Sequence, residues 1–225
     1  ADYSLYSSTK AAVVNLTHLI AERAGITSGT HVCDLGCGYG ATAFILARHY
    51  GAHVTGITVS QTQFNIAQST AQESANSRFM LGDALENGLP AASFDSVIAI
   101  ESSEHMADKP KFFSEARRLL RPQGRLAVAA WLTREGPNAA ESKFLLEPIC
   151  AEGRLPSLAS AKEYKEMLSG AGFREINCSD LTGNVQRTWT LCAARFIRKS
   201  ITDSAFRRRW RDPVQVVADE VHIDR

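Results

Sequence analysis

Several features that would assign a chain quickly to a class of protein are missing here. The five cysteines are an odd, scattered set without the paired spacings of a disulfide framework or a zinc site, so we read them as reduced thiols and expect no metal. No apolar run approaches the roughly 20 residues of a membrane span. The first residues carry neither a basic region nor a hydrophobic signal core. These absences predict a cytoplasmic protein without a transmembrane segment.

An excess of charge of one sign is missing as well. With 25 basic and 24 acidic residues, the formal net charge is +1, which argues against a field that would gather nucleic acid. The local exception is the basic run RRRWR at 207–211, which we read first as a solvated helix end. Weak contact of this run with an anionic substrate or a membrane surface is the second interpretation. Nothing in the sequence indicates an oligomeric state.

Strand-like and helix-like segments alternate from residue 30 onward, which is typical of an α/β fold. At 225 residues, 44% of them hydrophobic, the chain suits one well-filled domain better than two independent ones. We predict an open, twisted, mostly parallel, Rossmann-like sheet with helices on both faces. The predicted strands are 31–35, 53–57, 78–81, 94–100, 125–131 and 174–180. The predicted helices are 9–24, 41–50, 60–75, 110–121, 138–152, 160–170 and 186–206.

The most informative stretch is VCDLGCGYG at 32–40, in which an apolar strand ends in an acid and is followed by alternating glycines. Glycine at 36, 38 and 40 lets the backbone turn sharply and lets a ligand approach where a Cβ would collide. Residues 41–47 have helical propensity, so we expect the loop to lie at a helix N-terminus with its amides pointing at the ligand. This pattern predicts a nucleotide-cofactor loop.

Asp34 separates two classes of cofactor for this loop. A dinucleotide presents a pyrophosphate and favours the pattern G-x-G-x-x-G/A, which Gly36, Gly38 and Ala41 formally satisfy. S-adenosylmethionine carries an ammonium and a sulfonium instead, so an acid two residues before the first glycine makes chemical sense, directly or through water. Asp34 therefore favours S-adenosylmethionine, and an NAD-dependent oxidoreductase is the alternative.

Polar residues follow the second and third predicted strands, at the edge of a parallel sheet where ligands bind. Thr58 and Gln63 are candidates for hydrogen bonds to a ribose or methionyl group, although capping by Ser60 explains part of this pattern equally well. Asp83 is a candidate acceptor for an adenine amino group, with a neighbouring amide donating to the ring. A turn role for Asp83 is the alternative.

The most chemically loaded peptide, ESSEHM at 101–106, follows the fourth predicted strand. An ionisable cluster at the mouth of a sheet is a candidate active site. Histidine titrates near neutrality, so His105 can take a proton from a nucleophile, while Glu101 and Glu104 can orient it or hold the substrate. The alternatives are a structural role for His105 and a loop-bracing role for Glu101 through backbone amides.

Four motifs follow one another at strand–helix spacing: Asp34-x-Gly36-x-Gly38-x-Gly40, Gly82-Asp83-Ala84, Phe94-Asp95-Ser96-Val97 and Leu119-Leu120-Arg121-Pro122-Gln123-Gly124. Together they resemble the class I S-adenosylmethionine-dependent methyltransferases over about residues 30 to 131. The resemblance implies a seven-stranded sheet with a reversed final hairpin, an N-terminal helix near the cofactor and a substrate lid. It implies that Asp34 and the glycine loop, including Cys37, hold the methionine end of the cofactor. It further assigns Asp83 and Ala84 to adenine and Glu101 to the start of the acceptor side.

A narrower resemblance rests on GITVSQTQ at 56–63 and ESSEHMADK at 101–109. These segments look like the tocopherol methyltransferase branch and its bacterial relatives, which implies O- or C-methylation of a small hydrophobic, aromatic or prenyl-type acceptor. Two departures stand out: Thr58 replaces the usual acid after the second strand, and no closing strand is evident after residue 206. The Asn/Asp-Pro-Pro-Tyr signature that resembling nucleic-acid amino-methyltransferases carry is absent, which disfavours base methylation.

The predicted organisation is a single domain over residues 1–225, with a helical segment at 1–28, a cofactor-binding core at 29–131 and a lid at about 132–172. Methyl transfer from a sulfonium is an in-line displacement, so the protein mainly aligns and desolvates the reactants. His105 is the candidate base for an acceptor that must lose a proton. A non-catalytic nucleotide-binding scaffold is the third interpretation, beside methyltransferase and oxidoreductase.

Overall fold

The computed structural model describes residues 9–71, 76–185, 197–198 and 201–202. Contacts between Cα atoms divide the chain into two units, one formed by residues 13–178 and the other by residues 1–12 together with 179–225. The first unit contains the sheet and every site residue predicted above. The site can therefore be described within that unit alone.

The sheet consists of five parallel strands. They are β1 (His31–Leu35), β2 (His53–Thr58), β3 (Ser77–Leu81), β4 (Phe94–Ile100) and β5 (Leu120–Ala129). Their order across the sheet is β3-β2-β1-β4-β5, and every neighbouring pair is parallel. The direction of winding reverses between β1 and β4, and open α/β sheets bind ligands outside the carboxyl ends of the strands at such a switch. The predicted Rossmann-like architecture is confirmed.

Helices lie before the first strand, between several of the strands and after the last of them. The first four are α1 (Thr9–Ala24), α2 (Ala41–Tyr50), α3 (Gln61–Ala71) and α4 (Lys109–Leu119). After β5 come α5 (Ala139–Glu141), a π-helical turn (Ser142–Leu146), α6 (Glu147–Gly153), α7 (Ala161–Gly170) and α8 (Thr182–Val185). No residue from 139 to 153 is buried, so this segment of the predicted lid contributes nothing to the core.

Capping residues determine where several helices begin. Gly40 precedes α2 with a φ of 83°, a left-handed value that glycine adopts without a Cβ clash. Ser60 Oγ accepts from Gln63 N at 3.3 Å, which confirms its predicted role as the cap of α3. Asp108 caps α4 by accepting a backbone bond of 2.8 Å from Lys111 N, and Pro110 stands in the first turn, where its missing N–H costs nothing.

Alternate side chains of the strands face two hydrophobic clusters on opposite sides of the sheet, because successive residues of a strand point to opposite faces. Val32 and Ile98 belong to the cluster that includes residues of α1 and α2. Cys33 and Val97 belong to the cluster that includes Phe112 of α4 and residues of α7. Burial on both faces explains why β1 and β4 read as nearly continuous apolar runs.

Two strand predictions need correction. Residues 174–180 form no strand, because Glu175 has a φ of 55°, outside the extended region, and most of the segment is exposed. β5 begins at Leu120 rather than at residue 125, with a shift in its register against β4 near Phe94 and a φ of 64° at Gln123. The described residues thus form five of the seven strands that the family resemblance implied.

Other predicted segments extend beyond the described residues. The helix predicted at 60–75 begins at Gln61 and is described to Ala71, and residues 72–75 lie outside. Of the helix predicted at 186–206, residues 197–198 and 201–202 are described, and they are helical. The basic run 207–211 and any closing strand after residue 206 also lie outside. In the part of the chain that is described, no helix combines the length and apolarity of a membrane span.

Substitution of Phe112 tests the packing of the hydrophobic cluster that includes residues of α4 and α7. Its side chain is 0% exposed, whereas Phe144 in the π-helical turn is 74% exposed. We expect Phe112→Ala to lower the free energy of unfolding by about 3–5 kcal/mol, because it removes a buried ring and leaves a cavity. Urea denaturation measures this loss. Phe144→Ala is the control and should change stability by no more than about 0.5 kcal/mol. Equal losses in the two variants would contradict the assigned packing.

Candidate active site

Asp34 lies at the centre of the sheet, where ligands are expected. It is paired with Gly56 of β2 on one side and Ile98 of β4 on the other, so it stands at the switch point one residue before β1 ends. It is 2% exposed, yet no hydrogen bond or ion pair to its carboxylate is found among the described residues. A buried carboxylate without a partner is costly and points to a ligand that completes it.

Burial determines how the Asp34 carboxyl titrates. Desolvation raises its pKa from 3.8 to about 7, because the interior disfavours the charged form. At neutral pH the group is therefore close to half ionised, and a nearby cation would favour the charged form. The predicted role of Asp34 as an acid for a cationic ligand is consistent with this environment.

The glycine loop packs more closely onto the protein than the sequence suggested. The backbone amides of Gly36 and Cys37 both donate to the carbonyl of Ile57, at 3.0 and 2.9 Å, and the amide of Gly40 donates to Cys37 O at 2.9 Å. The expectation that the loop amides point at the ligand is therefore wrong for these three residues. Cys37 itself is buried, which raises the pKa of its thiol to about 12.

Two of the glycines are required for different reasons. Gly36 has a φ of 92°, and a Cβ there would collide with the side chain of Ser102, whose Oγ donates to Leu35 O at 2.6 Å. Gly38 has a φ of 54° and open space where its Cβ would be. Gly36 thus lets the loop after β4 come close to the loop after β1, while Gly38 leaves room on the open side for a ligand.

The polar residues after β2 are bonded to one another. Thr58 Oγ1 donates to Gln63 Oε1 at 2.8 Å and accepts from Ser60 N at 3.2 Å. Thr58 is 5% exposed, so its hydroxyl is occupied within the protein. Because the Gln63 oxygen accepts this bond, the amide nitrogen of Gln63 is the group left for a ligand.

The residues after β3 combine a turn with exposed surface. Gly82 N donates to Thr58 O at 2.9 Å, which ties the ends of β2 and β3 together. Asp83 Oδ1 accepts from Leu85 N at 2.8 Å, so the turn role considered above is present, and the second carboxylate oxygen has no bond among the described residues. Ala84 is 4% exposed and packs in the core.

Exposed apolar side chains surround this edge of the sheet. Val59, directly after β2, is 74% exposed, and Leu81, at the end of β3, is 45% exposed. Tyr39 in the glycine loop is 56% exposed. Large apolar groups at the carboxyl ends of neighbouring strands suit the flat faces of an aromatic base. These residues could not be recognised from the sequence, because a single apolar residue after a strand carries no distinctive signal.

The three predicted catalytic residues in the loop after β4, Glu101, Glu104 and His105, differ in their exposure to solvent. Glu104 is 2% exposed, and its Oε1 accepts from Trp131 N at 2.6 Å, so its carboxylate braces the loop. His105 is exposed at the end of a 3₁₀ turn (Ser103–His105), with no side-chain hydrogen bond among the described residues. Glu101 is exposed and has a φ of 51°, a conformation that is strained for glutamate and often found at functional sites.

Glu101 has a perturbed carboxyl group. Desolvation raises its pKa above 4.5, the negative charge of Glu104 raises it further, and a side-chain hydrogen bond with Trp131 opposes both. The structure therefore places Glu101 and His105 towards solvent and Glu104 towards the protein. Two cavities of about 320 and 290 Å³ lie beside α7, and neither is lined by the predicted site residues.

Comparison with known proteins identifies the family. The family described as "Methyltransferase domain" matches residues 33–128. The probable tocopherol O-methyltransferase of Oryza sativa subsp. japonica is 36% identical over 166 residues, covering 70% of this chain and 46% of that protein. The 27-O-demethylrifamycin SV methyltransferase of Amycolatopsis mediterranei is 33% identical over 189 residues, covering 82% of this chain and 69% of that protein.

A solved structure shares the fold. The geranyl diphosphate C-methyltransferase from Streptomyces coelicolor A3(2) has a TM-score of 0.74 and 23% identity, covering 82% of this chain and 69% of that one. Across four of the curated relatives, the chain spans 46%, 48%, 58% and 66% of their lengths. The chain belongs to the class I S-adenosylmethionine-dependent methyltransferases. Within that family it resembles the tocopherol O-methyltransferase branch, which confirms the resemblance drawn from the sequence.

The buried carboxyl of Asp34 should make the free energy of unfolding depend on pH. Between about pH 4 and pH 7 the unfolded chain loses this proton while the folded protein keeps it, so the free energy of unfolding falls as pH rises. With ~1.4 kcal/mol per pKa unit, the full cost above pH 7 is on the order of 4 kcal/mol. Asp34→Asn removes this cost, so we expect a higher Tm than the parent at about pH 8 and equal Tm values at about pH 4.

Thermal unfolding followed by circular dichroism at both pH values measures this difference. Asp95→Asn is the matched control, because Asp95 is paired with Arg121 at 2.5 Å and has a lowered pKa, so its loss should not stabilise the protein at high pH. An Asp34→Asn protein that melts at the parent's temperature at about pH 8 would show that the carboxylate is not destabilising.

Proposed function

We propose that this protein transfers a methyl group from S-adenosylmethionine to a small acceptor with a hydrophobic, aromatic or prenyl-type body. The single observation that supports this function is the buried carboxylate of Asp34, which lies at the switch point of the sheet and has no partner among the residues that the structure describes. The amino group of S-adenosylmethionine is a cation that suits such a carboxylate, directly or through water. A pyrophosphate at the same place would be repelled.

The residues around Asp34 suit the other parts of this cofactor. Gly38 leaves space beside the loop for the methionine end, and the Gln63 amide nitrogen, oriented by Thr58, can donate to a ribose hydroxyl. This contact replaces the acid that family members usually carry after the second strand. Asp83 retains one free carboxylate oxygen for the adenine amino group. When bound, the cofactor supplies an electrophilic methyl group and a sulfide leaving group.

The exposed face of the loop after β4 carries the proposed chemistry. His105 accepts the proton of an acceptor hydroxyl while that oxygen attacks the methyl carbon, and the carbon–sulfur bond breaks as the new bond forms. Glu101 holds or orients the acceptor: it lies four residues before His105, its carboxyl group has a raised pKa and its backbone has a strained φ of 51°. Glu104 acts as a positioning residue, because both of its carboxylate oxygens are bonded within the protein.

The acceptor class rests on exposed apolar surface and on relatives. Trp131 and Leu132 follow β5 and are 41% and 37% exposed, and the predicted lid carries exposed Phe144, Leu145 and Ile149. An apolar acceptor would bury such surface. The name of the rice relative points to tocopherol, a prenylated phenol, as the acceptor of that protein. We propose an acceptor of the same general chemistry, rather than a nucleic acid, for a protein working in the cytoplasm.

Ligand binding distinguishes this proposal from an NAD-dependent oxidoreductase. In isothermal calorimetry, S-adenosylmethionine and its demethylated product should bind, and NAD should give no heat above dilution. Asp34→Asn should weaken S-adenosylmethionine binding by about tenfold or more, corresponding to ~1.4 kcal/mol, because a charge-assisted contact is lost. Glu86→Gln, a change at an exposed residue paired with Lys111, is the control and should bind as the parent does. Binding of NAD in preference to S-adenosylmethionine would overturn the proposal.

Removal of the candidate base tests the catalytic step. We expect His105→Ala to lower the rate of labelled methyl transfer to a prenylated phenol by about 10²–10⁴-fold, with the affinity for S-adenosylmethionine unchanged. His53→Ala is the control, because His53 is exposed at the amino end of β2, the opposite edge of the sheet. Equal turnover in His105→Ala and the parent would remove His105 from the mechanism. Cofactor binding without transfer to phenols, hydroquinones or sugars would favour the scaffold interpretation.

A further inference from the structure

Lys109, the last residue of the segment ESSEHMADK at 101–109, is a buried cation to which the proposed mechanism gives no role. It is the first residue of α4 and is 5% exposed, although lysine is rarely buried without a partner. Its Nζ forms no ion pair within 4.0 Å among the described residues. Instead it donates to three backbone carbonyls, those of Glu104, Met106 and Ser157, at 3.3, 3.1 and 3.0 Å. Ser157 Oγ lies at 3.4 Å from the same nitrogen.

These bonds join two segments that are far apart in the sequence. Glu104 and Met106 flank His105 in the loop after β4, whereas Ser157 lies in the segment that leads into α7. An ammonium group has three protons, so one side chain can satisfy three carbonyls at once. Burial lowers the pKa of Lys109 below its usual value, and the negative charge of Glu104 opposes part of this shift.

A second chain of buried hydrogen bonds joins the same two segments. Ser103 Oγ donates to Glu104 Oε2 at 3.2 Å, so the single proton of Ser103 is used there. The bond of 2.9 Å between Ser103 Oγ and Tyr164 OH must then be donated by Tyr164, which lies on α7. Ser103, Glu104 and Tyr164 are 0%, 2% and 6% exposed. Within the 3₁₀ turn, only His105 is left pointing towards solvent.

We propose that Lys109 is a positioning residue: its ammonium group clamps the loop after β4 to the segment before α7 and thereby holds His105 in place for the acceptor. The catalytic part of this inference rests on the proposed function, whereas the clamp itself does not. Because the carbonyls belong to the residues on either side of His105, loss of the clamp frees the backbone that carries the imidazole. The cofactor residues on β1 to β3 are held by other bonds and should be unaffected.

Lys109→Met is the informative substitution, because methionine keeps most of the aliphatic volume and removes all three donors. We expect amide hydrogen exchange in peptides covering 101–106 and 155–160 to become about tenfold faster, while exchange in the glycine loop stays as in the parent. Lys111→Met is the matched control: Lys111 lies two residues along the same helix, is exposed and is paired with Glu86. It should leave exchange in both peptides unchanged.

Kinetics separate positioning from a merely structural role. With an acceptor that the parent methylates, we expect Lys109→Met to lower turnover about tenfold or more, with the Kd for S-adenosylmethionine within about twofold of the parent. If Lys109→Met does not unfold cooperatively, Lys109→Gln, which keeps an amide donor, takes its place and should show smaller changes in the same direction. Unchanged exchange in both peptides would overturn the clamp. Faster exchange with unchanged turnover would overturn the positioning role. If the parent methylates nothing, the proposed function fails and the exchange data still decide the clamp.

Discussion

The candidate site depends on one constraint: the carboxylate of Asp34 is held in the protein interior, at the switch point of the sheet. Strands on both sides bury the residue, and the described part of the chain offers its side chain no partner. Burying this carboxylate costs stability. The burial of β1 in both hydrophobic clusters stabilises the fold and opposes that cost. A protein without a cationic ligand would gain by placing an apolar residue there. In the proposed function, the carboxylate represents stability given up for binding.

The glycine loop follows from the same constraint. A ligand can reach a carboxylate at the end of a buried strand only if the residues that follow leave space for that ligand. Gly38 leaves such space, because nothing lies within 4 Å of where its Cβ would be. Gly36 serves a different purpose, because its missing Cβ lets Ser102 reach Leu35 O and brings the loop after β4 beside the loop after β1. The proposed cofactor side and the proposed acceptor side of the site are joined at this contact. A glycine that looks like part of a ligand cradle is thus a packing requirement between two loops.

The acceptor side is supported by polar groups rather than by apolar packing alone. Glu104 and Lys109 are both buried, and each bonds backbone groups of other segments instead of forming a mutual ion pair within 4.0 Å. Buried charges satisfied in this way fix backbone geometry more sharply than apolar contacts, which have no preferred direction. Such support suits the role proposed for this turn, which is to present the His105 imidazole to a small acceptor, because small displacements of a reacting group reduce rates strongly.

Much of this protein could be predicted from its sequence because the relevant signals are local. Strand β1, the glycine loop, helix α2 and the cap at Ser60 depend on neighbouring residues, and the structure has them where the pattern indicated. The prediction of a strand at 174–180 was wrong. The pattern of apolar and polar residues carries no information about whether a neighbouring strand is present, and a positive φ at Glu175 interrupts the extended backbone. The resemblance to methyltransferases could likewise be seen in the sequence, because it rests on the order of short local motifs.

The sequence by itself determined the parallel α/β class, the position of Asp34 before a glycine loop, and the placing of ionisable residues after β4. Only the tertiary structure decided which partners the polar residues have. Asp34 has no partner in the part of the chain that is described, Glu104 is turned inward, Thr58 is bonded to Gln63, and Lys109 binds Ser157 across 48 positions of the chain. The physical reason is that burial and hydrogen-bond partners come from segments distant in sequence, and a side chain's charge, pKa and availability depend on those partners rather than on its neighbours in the chain.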